Sequence, residues 1–292
     1  MIDTVKTSWF PGHMAKGFAA FKKEIKKAQV VIEVLDARIP ISSRNKDIFK
    51  LTEGKKKIVV LNKLDLVPRK AIRKWEAMLS EREGAVVIST NLATDASSSK
   101  KVMACLNSIQ KNITESKAGR GLMQALLKIV IIGIPNVGKS TLINRLVGKN
   151  RVRVGKRPGI TLGPQWISFG NNFELLDMPG ILEPNLENAH ITNKLSMTYA
   201  VSDRATDPVV IAGSLIDNLK KIYKENEPDN TYPLFKEIDK HATSHETLSA
   251  LALFFNFLQK DGCADVYRVA CKLLKDYRDG VLGKFILDVI KN

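Results

Sequence analysis

At 292 residues, with 44% apolar and 26% charged side chains, the chain is long enough for two domains and a real core, and no apolar run nears the roughly 20 residues of a membrane span. Net charge is +16 and its placement is uneven: residues 1–205 hold 34 Lys and Arg against 17 Asp and Glu, a net of +17, while residues 206–292 hold 12 against 13, a net of −1. Such a basic surface suits a polyanionic partner, with nucleic acid the leading candidate and a solubilising lysine coat the alternative. Three cysteines, Cys105, Cys263 and Cys271, exclude a disulfide framework or a zinc site, and core packing is expected of the last two. The segment Met1-Ile2-Asp3-Thr4-Val5-Lys6 has no apolar signal core and no transit-peptide character, so a reducing, cytoplasmic setting is expected.

In chain order, Trp9-Phe10-Pro11-Gly12-His13 makes a turn. The spacing of Met14, Phe18, Phe21, Ile25 and Ala28 then predicts a helix over 14–29. Strands are expected at 30–35, 57–61, 85–89 and 126–132, alternating with helices at 46–51, 69–82 and 100–114. That alternation predicts a mostly parallel sheet with helices on both faces, where ligands sit at the carboxyl ends of the strands. Strands at 164–169 and 172–176 read as a hairpin around Gly170-Asn171. The polar stretch 181–195 is expected to be mobile. Helices alone follow, at 212–226, 244–259, 264–276 and 282–290, punctuated by Gly262 and Gly280. The expected domains are therefore residues 1–205, α/β, and residues 206–292, a small all-α domain.

The strand at 126–132 runs into Gly133-Ile134-Pro135-Asn136-Val137-Gly138-Lys139-Ser140, which fits the phosphate-binding pattern G-x-x-x-x-G-K-[ST] between a strand and a helix. The N–H groups of Val137, Gly138, Lys139, Ser140 and Thr141 would point at a phosphate, helped by the helix N-terminus. Lys139 would reach the β- and γ-phosphates, and the Ser140 hydroxyl would ligate Mg²⁺.

A second pattern, Asn62-Lys63-Leu64-Asp65, ends the strand at 57–61. A carboxylate at Asp65 can accept from guanine N1–H and the 2-amino group, a donor pair adenine lacks, so GTP is selected over ATP. Asn62 would bond the base and brace the loop, and the Lys63 stem would cover the base. Ser89-Thr90-Asn91, at the next strand end, stands where guanine-binding proteins carry Ser-Ala-Lys. Asp177-Met178-Pro179-Gly180 offers a metal-side aspartate and a Gly180 N–H for the γ-phosphate, and Thr161 would join Ser140 on Mg²⁺.

The order of these patterns is rotated. In ordinary GTPases the phosphate loop precedes the threonine, D-x-x-G, N-K-x-D and Ser-Ala-Lys; here the last two come first. One fold has been circularly permuted, which domains with neighbouring termini tolerate.

With Trp9-Phe10-Pro11-Gly12-His13-Met14-Ala15-Lys16, Asp36-Ala37-Arg38-Ile39-Pro40, Arg157-Pro158-Gly159-Ile160-Thr161 and Gln165-Trp166 added to those patterns, the chain resembles the circularly permuted ribosome biogenesis GTPase A family, the YlqF type. The resemblance covers about residues 7–183 and returns at 277–284. It implies a GTPase stimulated by the ribosome that binds the immature large ribosomal subunit and its rRNA late in assembly; slow turnover of the protein alone is expected from Ile181, below. It also implies a helical C-terminal domain on that RNA, a role that the slight acidity of residues 206–292 would confine to a local patch. A monomer is expected.

Two residues carry open alternatives. Ile181 stands where many GTPases place a water-orienting glutamine, and isoleucine cannot do that work. His13 is the family's substitute; it either orients water as a catalytic residue or caps the N-terminal helix. Asn136 either helps hold a K⁺ ion at the phosphates, as in similar K⁺-dependent GTPases, or is a plain loop residue. A function of another class also stays open: a nucleotide-gated RNA-binding scaffold whose hydrolysis is vestigial, which Ile181 favours and the intact Lys139, Ser140, Thr161 and Asp177 oppose.

Overall fold

The computed structural model describes residues 21–118, 126–148, 165–170, 172–177, 188–203, 206–225 and 242–290. After a helical stretch at 21–25 come β1 (Val30–Asp36), α1 (Lys46–Lys50), β2 (Lys56–Asn62), a 3-10 turn (Leu64–Leu66), α2 (Arg69–Glu83), β3 (Val86–Ser89) and α3 (Ser98–Ala118). Then follow β4 (Leu127–Ile132), α4 (Lys139–Val147), β5 (Gln165–Phe169), β6 (Phe173–Asp177), α5 (Ala189–Met197), α6 (Pro208–Glu225), α7 (Ser244–Phe254) and α8 (Val266–Arg278).

The six strands form one sheet in the order β3-β2-β1-β4-β6-β5, parallel throughout except for the β5–β6 hairpin. The chain builds outward from β1 to β3, then returns through α3 to lay β4 on the other side of β1. Strand order thus reverses between β1 and β4, the place where open α/β sheets form a ligand crevice at their carboxyl ends.

Both faces of the sheet are buried. Val31, Val130, Ile132 and Leu176 share one face with Phe21, Ile25, Ala28 and Ile48, while the intervening Val30, Ile32, Ile129, Ile131 and Leu175 are equally buried on the other. Double burial explains why these strands read as continuous β-branched runs. Trp166 on β5 packs beside that first cluster, and its indole N–H donates to Glu24 at 2.7 Å. Mid-strand Glu33 is buried too, and Arg44 donates to it at 3.0 and 2.6 Å and to Glu83 at 2.5 Å. Burial pushes the Glu33 carboxyl up, against the pull of Arg44.

The described residues fall into two compact units: one holds the sheet with α1–α4, the other holds α5–α8 and residues 65–68. Helix α5 therefore groups with the later helices although it precedes residue 206. Its presence also corrects the expectation that 181–195 is mobile, for the residues from 188 on. Asn188 caps the helix by accepting from the His190 and Ile191 N–H groups, and Leu195, Ser196 and Met197 are buried.

Three further readings change. Helix α7 stops at Phe254, where Asn256 takes a left-handed φ of 54° and Phe257 N–H turns back to the Ala252 carbonyl. Residues 282–290 form no helix: Gly283 has φ 120°, and Phe285 and Leu287 are buried two apart, an extended spacing. Cys263 and Cys271 are exposed, so neither packs a core. Among the described residues no helix is long and apolar enough to cross a membrane.

Candidate functional site

Strand β4 delivers the loop 133–138 to the sheet's carboxyl edge, and α4 leaves it with Gly138 as N-cap. Both pattern glycines are held by close neighbours. A Cβ on Gly133 (φ 150°) would lie 2.5 Å from the Val34 carbonyl oxygen of β1, and one on Gly138 (φ 107°) would lie 2.4 Å from Asn62 Nδ2. Any side chain at either position would part the loop from the strands that support it. Asn136 takes a left-handed φ of 61°, which asparagine tolerates better than most residues.

Lys139, Ser140 and Thr141 form the first turn of α4, where N–H groups lack helical partners and attract an anion. Val137 and Lys139 are buried, and Ser140 and Thr141 half-buried. The Lys139 ammonium donates to the Ile134 carbonyl at 2.9 Å, inside its own loop. The ammonium is thus held inside the loop, at the N-terminal end of α4.

Asn62 joins the elements. Its Nδ2 donates to the Val137 carbonyl at 2.6 Å, and its Oδ1 accepts from the Leu92 N–H at 2.7 Å. One buried amide thus ties the end of β2 to the phosphate loop and to the loop after β3. Thr90 is buried; its N–H donates to the Leu61 carbonyl at 2.9 Å and its carbonyl accepts from Leu64 N–H at 3.2 Å. The Thr90 hydroxyl donates to Asp95 at 3.0 Å. Bonds from the Ser97 hydroxyl, the Ser97 N–H and Thr90 hold the Asp95 carboxyl down at about 2. Ser89 Oγ is buried with no hydrogen-bond partner among the described residues. Asp65 lies exposed in the 3-10 turn, and Lys63 (φ 66°) directs its ammonium to Asp36 at 2.7 Å.

His13, Thr161 and Gly180, with Ile181, lie outside the described residues, as does the side chain of Asp177. The Asp177 backbone ends β6, one residue past the Val130–Leu176 pair between β4 and β6. It therefore closes the neighbouring strand at the edge from which the phosphate loop springs. A hydroxyl at Ser140 and a carboxylate at Asp177 are hard oxygen donors of the kind Mg²⁺ prefers.

A protein family described as 50S ribosome-binding GTPase matches residues 128–241. Ribosome biogenesis GTPase A of Bacillus cereus is 35% identical over 289 residues, covering 96% of this chain and 93% of its own. The chain belongs to the ribosome biogenesis GTPase A family. The same-named protein of Priestia megaterium is 34% identical over 293 residues, 96% of each chain. Among solved structures, GNP-bound YlqF from T. maritima superposes with a TM-score of 0.60 at 23% identity, covering 94% of this chain and all of that one, a likeness of fold. P-loop GTPases of this kind generally use Mg²⁺. The permuted motif order belongs to this fold: β1–β3 and their loops precede the phosphate loop.

Two contributors escaped the sequence. Arg145, on α4, donates to Asp95 O, to Ser98 Oγ at 3.0 Å and to Ala93 O at 3.0 Å, clamping the loop after β3 onto the phosphate-loop helix. No local pattern announces an arginine six residues past Lys139. Asp36 is the other: the sequence shows it in a family motif but not that it is buried against Arg38 and Lys63.

Proposed function

We propose that this protein is a GTP-hydrolysing assembly factor that binds the immature large ribosomal subunit and acts late in its maturation. The observation that carries the reading is the Asn62 amide, which joins the phosphate loop to the loop after β3 at one sheet edge, in a chain aligned nearly end to end with ribosome biogenesis GTPases. On this reading Asn62, Lys63, Asp65, Ser89 and Thr90 form the guanine site. The N–H groups of residues 137–141 and Gly180 cradle the phosphates, and Lys139 offsets their charge.

Ser140, Thr161 and Asp177 would hold Mg²⁺, which neutralises phosphate charge when bound. Asn136 is the residue to which a K⁺ ion would bind. The protein acts as a monomer in the cytoplasm, and residues 1–205 supply most of the attraction to rRNA. Sedimentation with ribosomal subunits, in GDP and in a non-hydrolysable GTP analogue, tests the partner; absence of large-subunit binding in both states ends this reading.

Because Ile181 cannot position water, turnover by the isolated protein should be slow, with His13 as the catalytic residue once the ribosome is bound. His13→Ala should keep GTP affinity and subunit binding while ribosome-stimulated turnover falls by about 10²–10⁴. Equal stimulation of both proteins would return His13 to helix capping. Turnover measured with and without large subunits also separates an enzyme from the nucleotide-gated scaffold that Ile181 would suit.

Subunit association should weaken steeply with salt, since each neutralised phosphate contributes a slope of about −0.9 in log K against log salt on duplex DNA. A nearly flat response in a salt titration would leave the +17 of residues 1–205 as solubilising charge.

A further inference from the structure

We infer that Asp36 is a positioning residue for the base loop, acting through Lys63; the inference rests on the guanine-site reading of residues 62–65. Asp36 closes β1, pairs in register with Asn62 of β2, and is 2% exposed. The next residue, Ala37, donates its N–H to the Asn62 carbonyl at 2.9 Å, so the two strand ends are joined just before the base loop begins.

The carboxylate is fully engaged. Oδ1 accepts from the Arg38 N–H and from Arg38 Nε, each at 3.0 Å; Oδ2 accepts from Arg38 Nη2 and from Lys63 Nζ, each at 2.7 Å. Burial pushes this carboxyl up, but the charges of Arg38 and Lys63 outweigh that and hold it well below the usual carboxylate range. Arg38, also 2% exposed, occupies one edge of the carboxylate as a fork and leaves a fixed position on Oδ2 for the ammonium.

Lys63 needs such an anchor. Its φ of 66° is left-handed, a conformation that a long side chain keeps only where its surroundings over-determine it. With its head on Asp36, the alkyl stem loses its rotamer freedom before a base arrives, and the peptide between Asn62 and Asp65 is set in one path. Ordering that would otherwise oppose binding is already done in the free protein.

The test is a double-mutant cycle on GDP affinity with Asp36→Asn, Lys63→Met and the pair, with Asp65→Asn alongside to check the guanine site. Lys63→Met keeps an apolar stem and removes only the ammonium. Each single change should weaken GDP binding about tenfold, within the coupling range of contacting pairs, and the double variant should be no weaker than Lys63→Met alone. In turnover, the loss from Asp36→Asn should fall on KM and not on kcat. If Asp36→Asn weakens binding by the same factor with Met at position 63, Asp36 does not act through Lys63 and the inference is overturned. If Asp36→Asn does not fold, Lys63→Met decides alone: GDP affinity equal to that of the natural chain overturns it. Failure of the guanine-site reading is separate, appearing as GTP preference retained in Asp65→Asn.

Discussion

Asp65→Asn should erase the preference for GTP over ATP. A carboxylate offers two acceptor oxygens to the N1–H and 2-amino donors of guanine; a carboxamide offers one acceptor and one donor, so one pairing becomes a clash of donors. Sites built to pair polar groups reject a mismatched partner by about 10⁴ or more, and that is the size of discrimination at stake. The fold should not suffer, because Asp65 is exposed in a short 3-10 turn. Competition binding with GDP, ADP and XDP reads the result, and a variant that still prefers GDP by the natural margin would sink the base-reading role.

Lys139→Ala should come next in size. The lysine is buried, and its ammonium already sits on the Ile134 carbonyl. Removing one partner of a buried, charged hydrogen-bonded pair costs about 2–5 kcal/mol, roughly 30- to 4,000-fold in affinity for a triphosphate. Burial adds a second expectation: the stem leaves a gap between α4 and its loop, so thermal stability should fall slightly as nucleotide affinity collapses. Calorimetry with GTP, paired with a melting curve, separates the two effects. A folded Lys139→Ala protein that binds and turns over GTP normally would rule out the phosphate-loop assignment.

Family membership and a permuted, mostly parallel sheet were both legible in the residues, because they rest on local chemistry. Continuous β-branched runs mark doubly buried strands, and glycines before a Lys-Ser pair mark a loop that must close around an anion. Helix ends were harder. α5 is polar through most of its length, so its periodicity is weak, and only the burial of Leu195 and Met197 against neighbouring helices shows why it forms. Residues 282–290 contain enough apolar side chains for a helix, yet Gly283 and the two-residue spacing of Phe285 and Leu287 make them extended.

Which residues bind nucleotide could be proposed from spacing alone. What holds them in place could not. Asn62 meets Val137 across 75 positions, Arg145 meets Ser98 across 47, and Lys63 meets Asp36 across 27. By itself the sequence determined the strands, the loop with the phosphate-binding pattern and the rotated motif order, since each follows from side chains within a few residues of one another. Only the tertiary structure decided which buried polar group partners which. Those pairings arise where separate strands end side by side, and a hydrogen bond there is fixed by register and crossover, which no local run of residues encodes.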